Sequence, residues 1–265
     1  MSSEMLTNRV VRLVSSLAES KGRRKEGLFV AEGAKCVRDT AAAFRARYLF
    51  ILRDHCEEFA DMAEKFRASG AEVMDDLSRG DMQRLSSLST VSPVLAVYEI
   101  PEAQAPSPEV LMGQLVVALD RIQDPGNLGT IIRTADWMGV TTILASRDTV
   151  DVFSPKVVQA TMGAISRVRV CYTDLVATLG ELRDRGAEIF GTYLGGENIY
   201  TATLPANAVV VMGNEGSGIS VEVGTTVTRR LLIPSYPVGA ETSESLNVAT
   251  ATAITLSTFR SRLFS

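Results

Sequence analysis

The chain has one histidine in 265 residues, His55, and three scattered cysteines, Cys36, Cys56 and Cys171. His55 has no ligand-like spacing to Cys56 or to a carboxylate cluster, so no metal centre is expected and His55 reads as a surface side chain. An odd, dispersed cysteine set gives no disulfide framework and points to reduced thiols. No apolar run approaches the roughly 20 residues needed to cross a bilayer, and residues 1–8 carry no basic cluster leading into an apolar stretch. A soluble, unexported chain in the cytoplasm is expected. Two phosphate-binding signatures are also missing, G-x-G-x-x-G and G-x-x-x-x-G-K-[ST], which excludes the common dinucleotide and P-loop sites. There are no internal repeats and no low-complexity segments.

With 46% hydrophobic and 22% charged residues, the composition is that of a globular protein, and the length suggests two domains. Pro101, Pro106 and Pro108 stand among small and polar residues without periodicity. They predict a linker over 101–113 between a domain at 1–100 and one at 114–265. The net charge of -4 is unevenly spread: Met1 to Arg53 holds 11 Lys and Arg against 5 Asp and Glu, a local +6 that leaves -10 for the remainder. Lys21, Arg23, Arg24 and Lys25 fall in a predicted loop of this basic end. A charge run alone reads as a solvated surface, but it also suits salt-dependent capture of a polyanion.

Upstream of the linker, helical patterns around 5–20, 33–44, 55–69 and 77–88 alternate with short apolar runs at 28–31, 48–52, 72–74 and 94–98, which predicts a small α/β or α+β domain. Downstream the runs are continuously apolar: 115–119, 141–145, 168–171, 188–193, 209–212 and 231–233. Runs without in-out alternation predict an α/β domain with a parallel sheet covered by helices on both faces. Ser154-Pro155 and Asp174 are helix starts, and Gly139, Gly163 and Gly186 are helix ends.

Three polar segments follow strands, where ligands bind in open parallel sheets. The first runs from Pro125 to Ala135. In a helix starting near Asn127, Leu128, Ile131, Ile132, Ala135 and Met138 form one stripe facing the sheet. Arg133 then lies opposite that stripe, toward solvent, a substrate or another subunit, while Gly126 and Gly129 permit close backbone approach beside Asn127. In the second segment, Gly213 to Gly218, three glycines surround Glu215, which suits a tight loop holding one carboxylate near a ligand. The third couples Ile233-Pro234 to a helix predicted to start at Ser245, capped by its hydroxyl, with Ser245 and Asn247 at the positive end of the helix dipole. From Ala249 to Ala253 alanine and threonine alternate, a small surface suited to a buried or dimer-contacting helix.

At these segments the chain resembles the SpoU (TrmH) family of RNA 2'-O-ribose methyltransferases, within the SPOUT superfamily. The resemblance rests on Asn127 with Arg133-Thr134-Ala135 and Gly139, on Gly213-x-Glu215-Gly216, and on Ile233-Pro234 with Ser245-Leu246-Asn247-Val248. Ser154-Pro155-Lys156 through Met162-Gly163-Ala164 and Phe29-Val30-Ala31-Glu32-Gly33 extend it over nearly the whole chain.

The resemblance implies an S-adenosylmethionine-dependent enzyme with a trefoil-knotted C-terminal domain, working as a homodimer, and a ribosomal-protein-like N-terminal domain that binds structured RNA. It assigns catalysis to Arg133, either as base or by positioning the ribose and stabilising developing alkoxide charge, since a guanidinium stays protonated. Asn127, Glu215, Ser245 and Asn247 complete the implied polar network. Gly213, Ile233 and Leu246 are implied to hold the adenosyl group, joined by Thr192 and Leu194, and Lys21, Arg23, Arg24 and Lys25 are the expected RNA contacts. Ribosomal RNA is the expected substrate. A non-catalytic RNA-binding or assembly protein is the alternative, and a small-molecule methyltransferase would leave the basic N-terminal domain unexplained. The ten residues from Ser235 to Glu244 make a longer loop than the resemblance leads one to expect.

Overall fold

The computed structural model describes residues 6–88, 90–102, 106–237 and 243–263. In chain order the elements are α1 (Asn8–Ser16), α2 (Ser20–Glu26), β1 (Leu28–Glu32), α3 (Ala34–Thr40), β2 (Ala46–Leu52), α4 (Ala60–Ala68), β3 (Glu72–Leu77), α5 (Arg79–Leu85) and β4 (Val94–Glu99). There follow α6 (Pro108–Met112), β5 (Leu115–Leu119), α7 (Pro125–Trp137), β6 (Thr142–Ser146), α8 (Pro155–Thr161), β7 (Arg169–Thr173), α9 (Leu175–Asp184), β8 (Ile189–Asn198), β9 (Ala208–Met212), α10 (Val221–Gly224), β10 (Arg229–Leu232) and α11 (Val248–Ser261). They divide into two compact units: residues 1–102 with 151–166, and residues 103–150 with 167–265.

The first unit is built on a four-stranded sheet of order β1-β4-β2-β3. β4 runs antiparallel to both neighbours and β2 parallel to β3. Val10, Val14 and Leu17 of the first helical segment pack with Met82 and Leu85 of α5 against Val30, Phe50, Leu95 and Val97. An aromatic group of Phe29, Phe44, Tyr98 and Phe153 forms a second cluster in this unit. Phe153 comes from the segment 151–166, which in sequence lies inside the stretch expected to form the C-terminal domain. Its ring stands 4.7 Å from that of Phe29.

Arg23 secures the same segment. Its Nε and Nη2 donate to Asp151 Oδ2 at 2.9 and 2.7 Å, and its Nη1 donates to the carbonyls of Leu17 and Ala18 at 2.8 and 2.9 Å. Gly163, at φ +90°, packs so tightly on Asp39 that a Cβ there would come within 2.4 Å of the Asp39 Cβ, so no other residue fits. These contacts correct one expectation. The loop predicted over 21–25 is helix α2, and Arg23, 3% exposed, is a structural side chain, not a surface RNA contact. Lys21, Arg24 and Lys25 are exposed.

The second unit carries a six-stranded sheet of order β10-β8-β9-β5-β6-β7, parallel throughout. The α/β architecture and the parallel sheet match the sequence expectation. Because side chains alternate faces along a strand, Val116 and Ala118 of β5 and Val209 and Val211 of β9 pack on α6, α9 and α10. The intervening positions are buried as well. On α7 the stripe Leu128, Ile131, Ile132 and Ala135 is fully buried, each side chain contributing roughly 1.5–3 kcal/mol where it is large and apolar. Phe259 of α11 meets Phe190 of β8 edge-on at 5.3 Å.

Part of the stretch read as linker is ordered: Pro108 opens α6, and Leu111 is buried against α9 and the sheet. The expected knot depends on the path between β10 and α11, of which residues 238–242 lie outside the described residues, as does the middle of the long loop noted from sequence.

Candidate active site

Asn127 is the third residue of α7. Asp124 caps the helix, its carboxylate accepting the Asn127 backbone N–H at 2.8 Å, and Pro125 occupies the first turn where no N–H is needed. This places the Asn127 amide at the amino end of the helix. Its Nδ2 donates to Glu215 Oε1 at 2.6 Å, and its Oδ1 accepts from Asn247 Nδ2 at 2.8 Å.

Asn247 caps α11, its Oδ1 accepting the N–H groups of Ala249 and Thr250 at 3.0 and 3.2 Å. The helix therefore begins at Val248, not at Ser245, and the cap is Asn247, not the Ser245 hydroxyl. With its oxygen committed to the helix, the Asn247 amide can only donate toward Asn127, and the three side chains form one directional chain from Asn247 through Asn127 to Glu215. Ser245 is exposed and outside this chain.

α7 and α11 run side by side in the same direction. Their amino ends meet at Asn127 and Asn247, and at the far end Arg260 Nε and Nη2 of α11 donate to the carbonyls of Met138 and Gly139 at 2.7 and 3.2 Å. The amino ends of the two helices are thus joined through their asparagines, and Glu215 meets them at Asn127.

Glu215 rides on a loop that closes on itself. The Asn214 and Gly218 backbones bond reciprocally at 3.1 and 2.9 Å, and Asn214 Oδ1 accepts the N–H groups of Gly216 and Ser217. Gly213 is where the loop returns: a Cβ there would lie 2.2 Å from the Gly218 carbonyl carbon.

Arg133 is on the exposed side of α7 and forms no hydrogen bond or ion pair with the described residues. Six residues past Asn127, it stands about 9 Å further along the helix. The structure therefore brings together Asn127, Glu215 and Asn247 but leaves Arg133 and Ser245 apart from them. One turn beyond Arg133 on the same side, the chain's single tryptophan, Trp137, is 85% exposed. Sequence reading missed it, although a lone tryptophan four residues after the arginine was a signal.

The remaining positions come from three neighbouring strands. Gly213 follows β9 and Ile233 follows β10. Thr192 and Leu194 lie in β8, where the pairing with β10 jumps from Gly191↔Arg230 to Glu197↔Leu231 and leaves 192–196 out of the ladder. Leu194 is 79% and Leu246 47% exposed, and no group of three or more metal-ligating side chains occurs among the described residues.

A parallel α/β domain with a polar chain at its strand and helix ends, in one chain with a second domain that has a basic terminus, has the features of an enzyme acting on a polyanion. Residues 114–257 match the SpoU rRNA Methylase family, and residues 8–96 match the MRM3-like substrate binding domain. The chain belongs to the SpoU rRNA methylase family, whose members use S-adenosylmethionine to methylate RNA.

Among its relatives is the 23S rRNA (guanosine(2553)-2'-O)-methyltransferase RlmP of Bacillus subtilis, 27% identical over 95% of this chain and 96% of that one. A solved TrmH-family structure from Porphyromonas gingivalis is 39% identical, covers 98% of this chain and 100% of its own, and superposes with a TM-score of 0.84. An AdoMet-bound rRNA methyltransferase from Sinorhizobium meliloti is 31% identical over 98% and 97% of the two chains, also with a TM-score of 0.84.

Proposed function

We propose that this protein methylates a ribose 2'-hydroxyl of ribosomal RNA, with Asn127, Glu215 and Asn247 holding the reacting region and Arg133 acting on the ribose. The observation that carries this reading is the Asn247-Asn127-Glu215 chain, which joins all three polar segments through two hydrogen bonds.

The strand ends fit S-adenosylmethionine. Residues 192–196 stand out of the β8-β10 ladder, so their amides and carbonyls can meet an adenine edge, and a Cβ added at Gly195 would meet nothing within 4 Å. Exposed Leu194 and Leu246 offer apolar surface for a purine face. Thr192, Leu194, Gly213, Ile233 and Leu246 would hold the adenosyl group of the cofactor, whose sulfonium would supply an electrophilic methyl.

The protein must then align the 2'-oxygen with that methyl and ease loss of the hydroxyl proton. Arg133 suits positioning and charge stabilisation better than proton abstraction, because its guanidinium stays charged. Asn127 is held by partners on both sides of its amide, so it keeps one orientation without reorganising during the reaction.

RNA capture falls to the first unit. Arg9, Arg12, Lys21 and Arg24 are exposed on α1 and α2 and pair with no carboxylate among the described residues. Gly22 of α2 rests against the Ser16 carbonyl of α1, so the two basic helices adjoin and offer one surface to a phosphate backbone.

Arg133 needs a partner surface. We propose a homodimer through the exposed side of α7, where Trp137 would be covered and Arg133 would reach the site of the other subunit. Arg133→Ala is expected to abolish methylation of ribosomal RNA while calorimetry shows S-adenosylmethionine binding unchanged. Wild-type turnover in that variant would remove Arg133 from the reaction.

A further inference from the structure

We infer that Arg121, to which no role has been given above, is a positioning residue that sets the Glu215 loop, an inference that rests on the proposed role of Glu215. Arg121 follows β5 with φ +59°, a left-handed conformation that glycine or asparagine adopts at lower cost. An arginine kept in that conformation suggests that its side chain does something glycine could not.

Both ends of the residue grip the loop. Its backbone N–H donates to Ser146 Oγ at 2.8 Å, fixing it to the end of β6, and its carbonyl accepts from Asn214 Nδ2 at 2.9 Å. Its Nη2 donates to Ser217 Oγ at 3.3 Å and to the Gly218 carbonyl at 3.4 Å. The preceding residue completes the grip: Asp120, 2% exposed, accepts the Ser220 N–H at 2.6 Å and pairs with Arg121 Nε at 3.4 Å.

Positions 214, 217, 218 and 220 are thus held from the β5 end, while Glu215 between them has Asn127 as its side-chain partner. The loop carries glycine at 213, 216 and 218 and is closed internally by Asn214. The Arg121 guanidinium adds a tie from outside, joining that closed loop to the end of β5.

The test separates this role from a direct contact with RNA. Arg121→Gly suits the left-handed backbone but leaves the buried Asp120 carboxylate without its ion pair, so thermal stability is expected to fall modestly. Its kcat for rRNA methylation is expected to fall roughly tenfold, with RNA KM unchanged and faster amide exchange at 213–218 in the protein alone. Arg121→Lys, with a point charge instead of a planar fork, is expected to restore little. In a Glu215→Gln background the same Arg121→Gly change is expected to add no further loss.

Additive losses in the double variant, unchanged amide exchange, or an effect confined to RNA KM and rescued by lysine would each overturn the inference. Wild-type turnover in Glu215→Gln would instead sink the proposed role of Glu215, and the exchange experiment would still decide whether Arg121 holds the loop.

Discussion

Asn247 donates its side-chain amide to the Asn127 carbonyl oxygen at 2.8 Å across 120 residues of chain. Asn247 caps its own helix and Asn127 lies in the first turn of the other, so the hydrogen bond registers α11 against α7 at the end where Glu215 arrives. Rotating the Asn127 amide loses two partners and rotating the Asn247 amide loses three, which makes the arrangement stiff before any ligand binds.

Asn127→Ala removes the central member and leaves the Asn247 amide and the Glu215 carboxylate without each other's mediator. Turnover with a ribosomal RNA substrate is expected to fall about a hundredfold. Because both flanking groups are exposed to water, the unfolding free energy is expected to fall by only about 1 kcal/mol. Single-turnover kinetics with urea titration checks both, and equal losses in the two would reduce Asn127 to a folding residue.

Arg23→Met deletes a nearly enclosed guanidinium with four hydrogen bonds, leaves two carbonyls unpaired, and leaves the Asp151 carboxylate without its cation and with the Phe153 N–H still donating to it. Breaking such a pair from one side costs about 3 kcal/mol, measurable as a lower denaturation midpoint. Arg23→Lys is expected to recover little of it, since a single ammonium cannot span Asp151 and both carbonyls.

Alkaline pH should weaken the first unit. Burial, with the Asp39 charge adding to it, pushes the Cys36 thiol from 9.0 up to about 11. Burial likewise raises the Tyr98 hydroxyl above the ordinary tyrosine range. The folded state holds these protons more tightly than the unfolded chain, so their contribution is complete below about pH 9 and is lost as pH rises through the folded values. A decline of about 2 kcal/mol in unfolding free energy between pH 9 and 11 is expected from Cys36, flattened in Cys36→Ala, and Tyr98 extends the decline further. A profile as steep in the alanine variant as in wild type would place the loss elsewhere.

Trp137 is the sole tryptophan and is 85% exposed in one chain. If the exposed side of α7 is the dimer surface, its fluorescence should shift to shorter wavelength as concentration rises through the dissociation constant. Trp137→Ala should raise that constant about a hundredfold in sedimentation, as loss of a central aromatic anchor does. Emission independent of concentration, with a monomer at every concentration, would remove the dimer and with it the shared placement of Arg133.

Much of the fold was legible because the strands of the second unit are buried on both faces and read as unbroken apolar runs at 115–119 and 209–212. The helical phase of α7 likewise told which side Arg133 takes. Other features were hidden because they depend on partners far away in sequence. Nothing near Arg23 distinguishes it from Arg24: its carboxylate partner lies 128 residues on. Serine and asparagine cap helices about equally well, so local preference could not choose between Ser245 and Asn247, and the choice follows from the contact with Asn127. Arg121 carried no signal beyond its place after β5, since its left-handed backbone is a property of the folded chain.

The excursion of residues 151–166 into the first unit has a consequence for biosynthesis. As the chain leaves the ribosome, residues 8–96 emerge long before Asp151 and Phe153, so Arg23 must wait without its carboxylate and Phe29 without one of its ring contacts. The N-terminal domain is finished only after β5, α7 and β6 have been synthesised. Its completion is therefore a late event, timed by the synthesis of the domain whose sequence interrupts it.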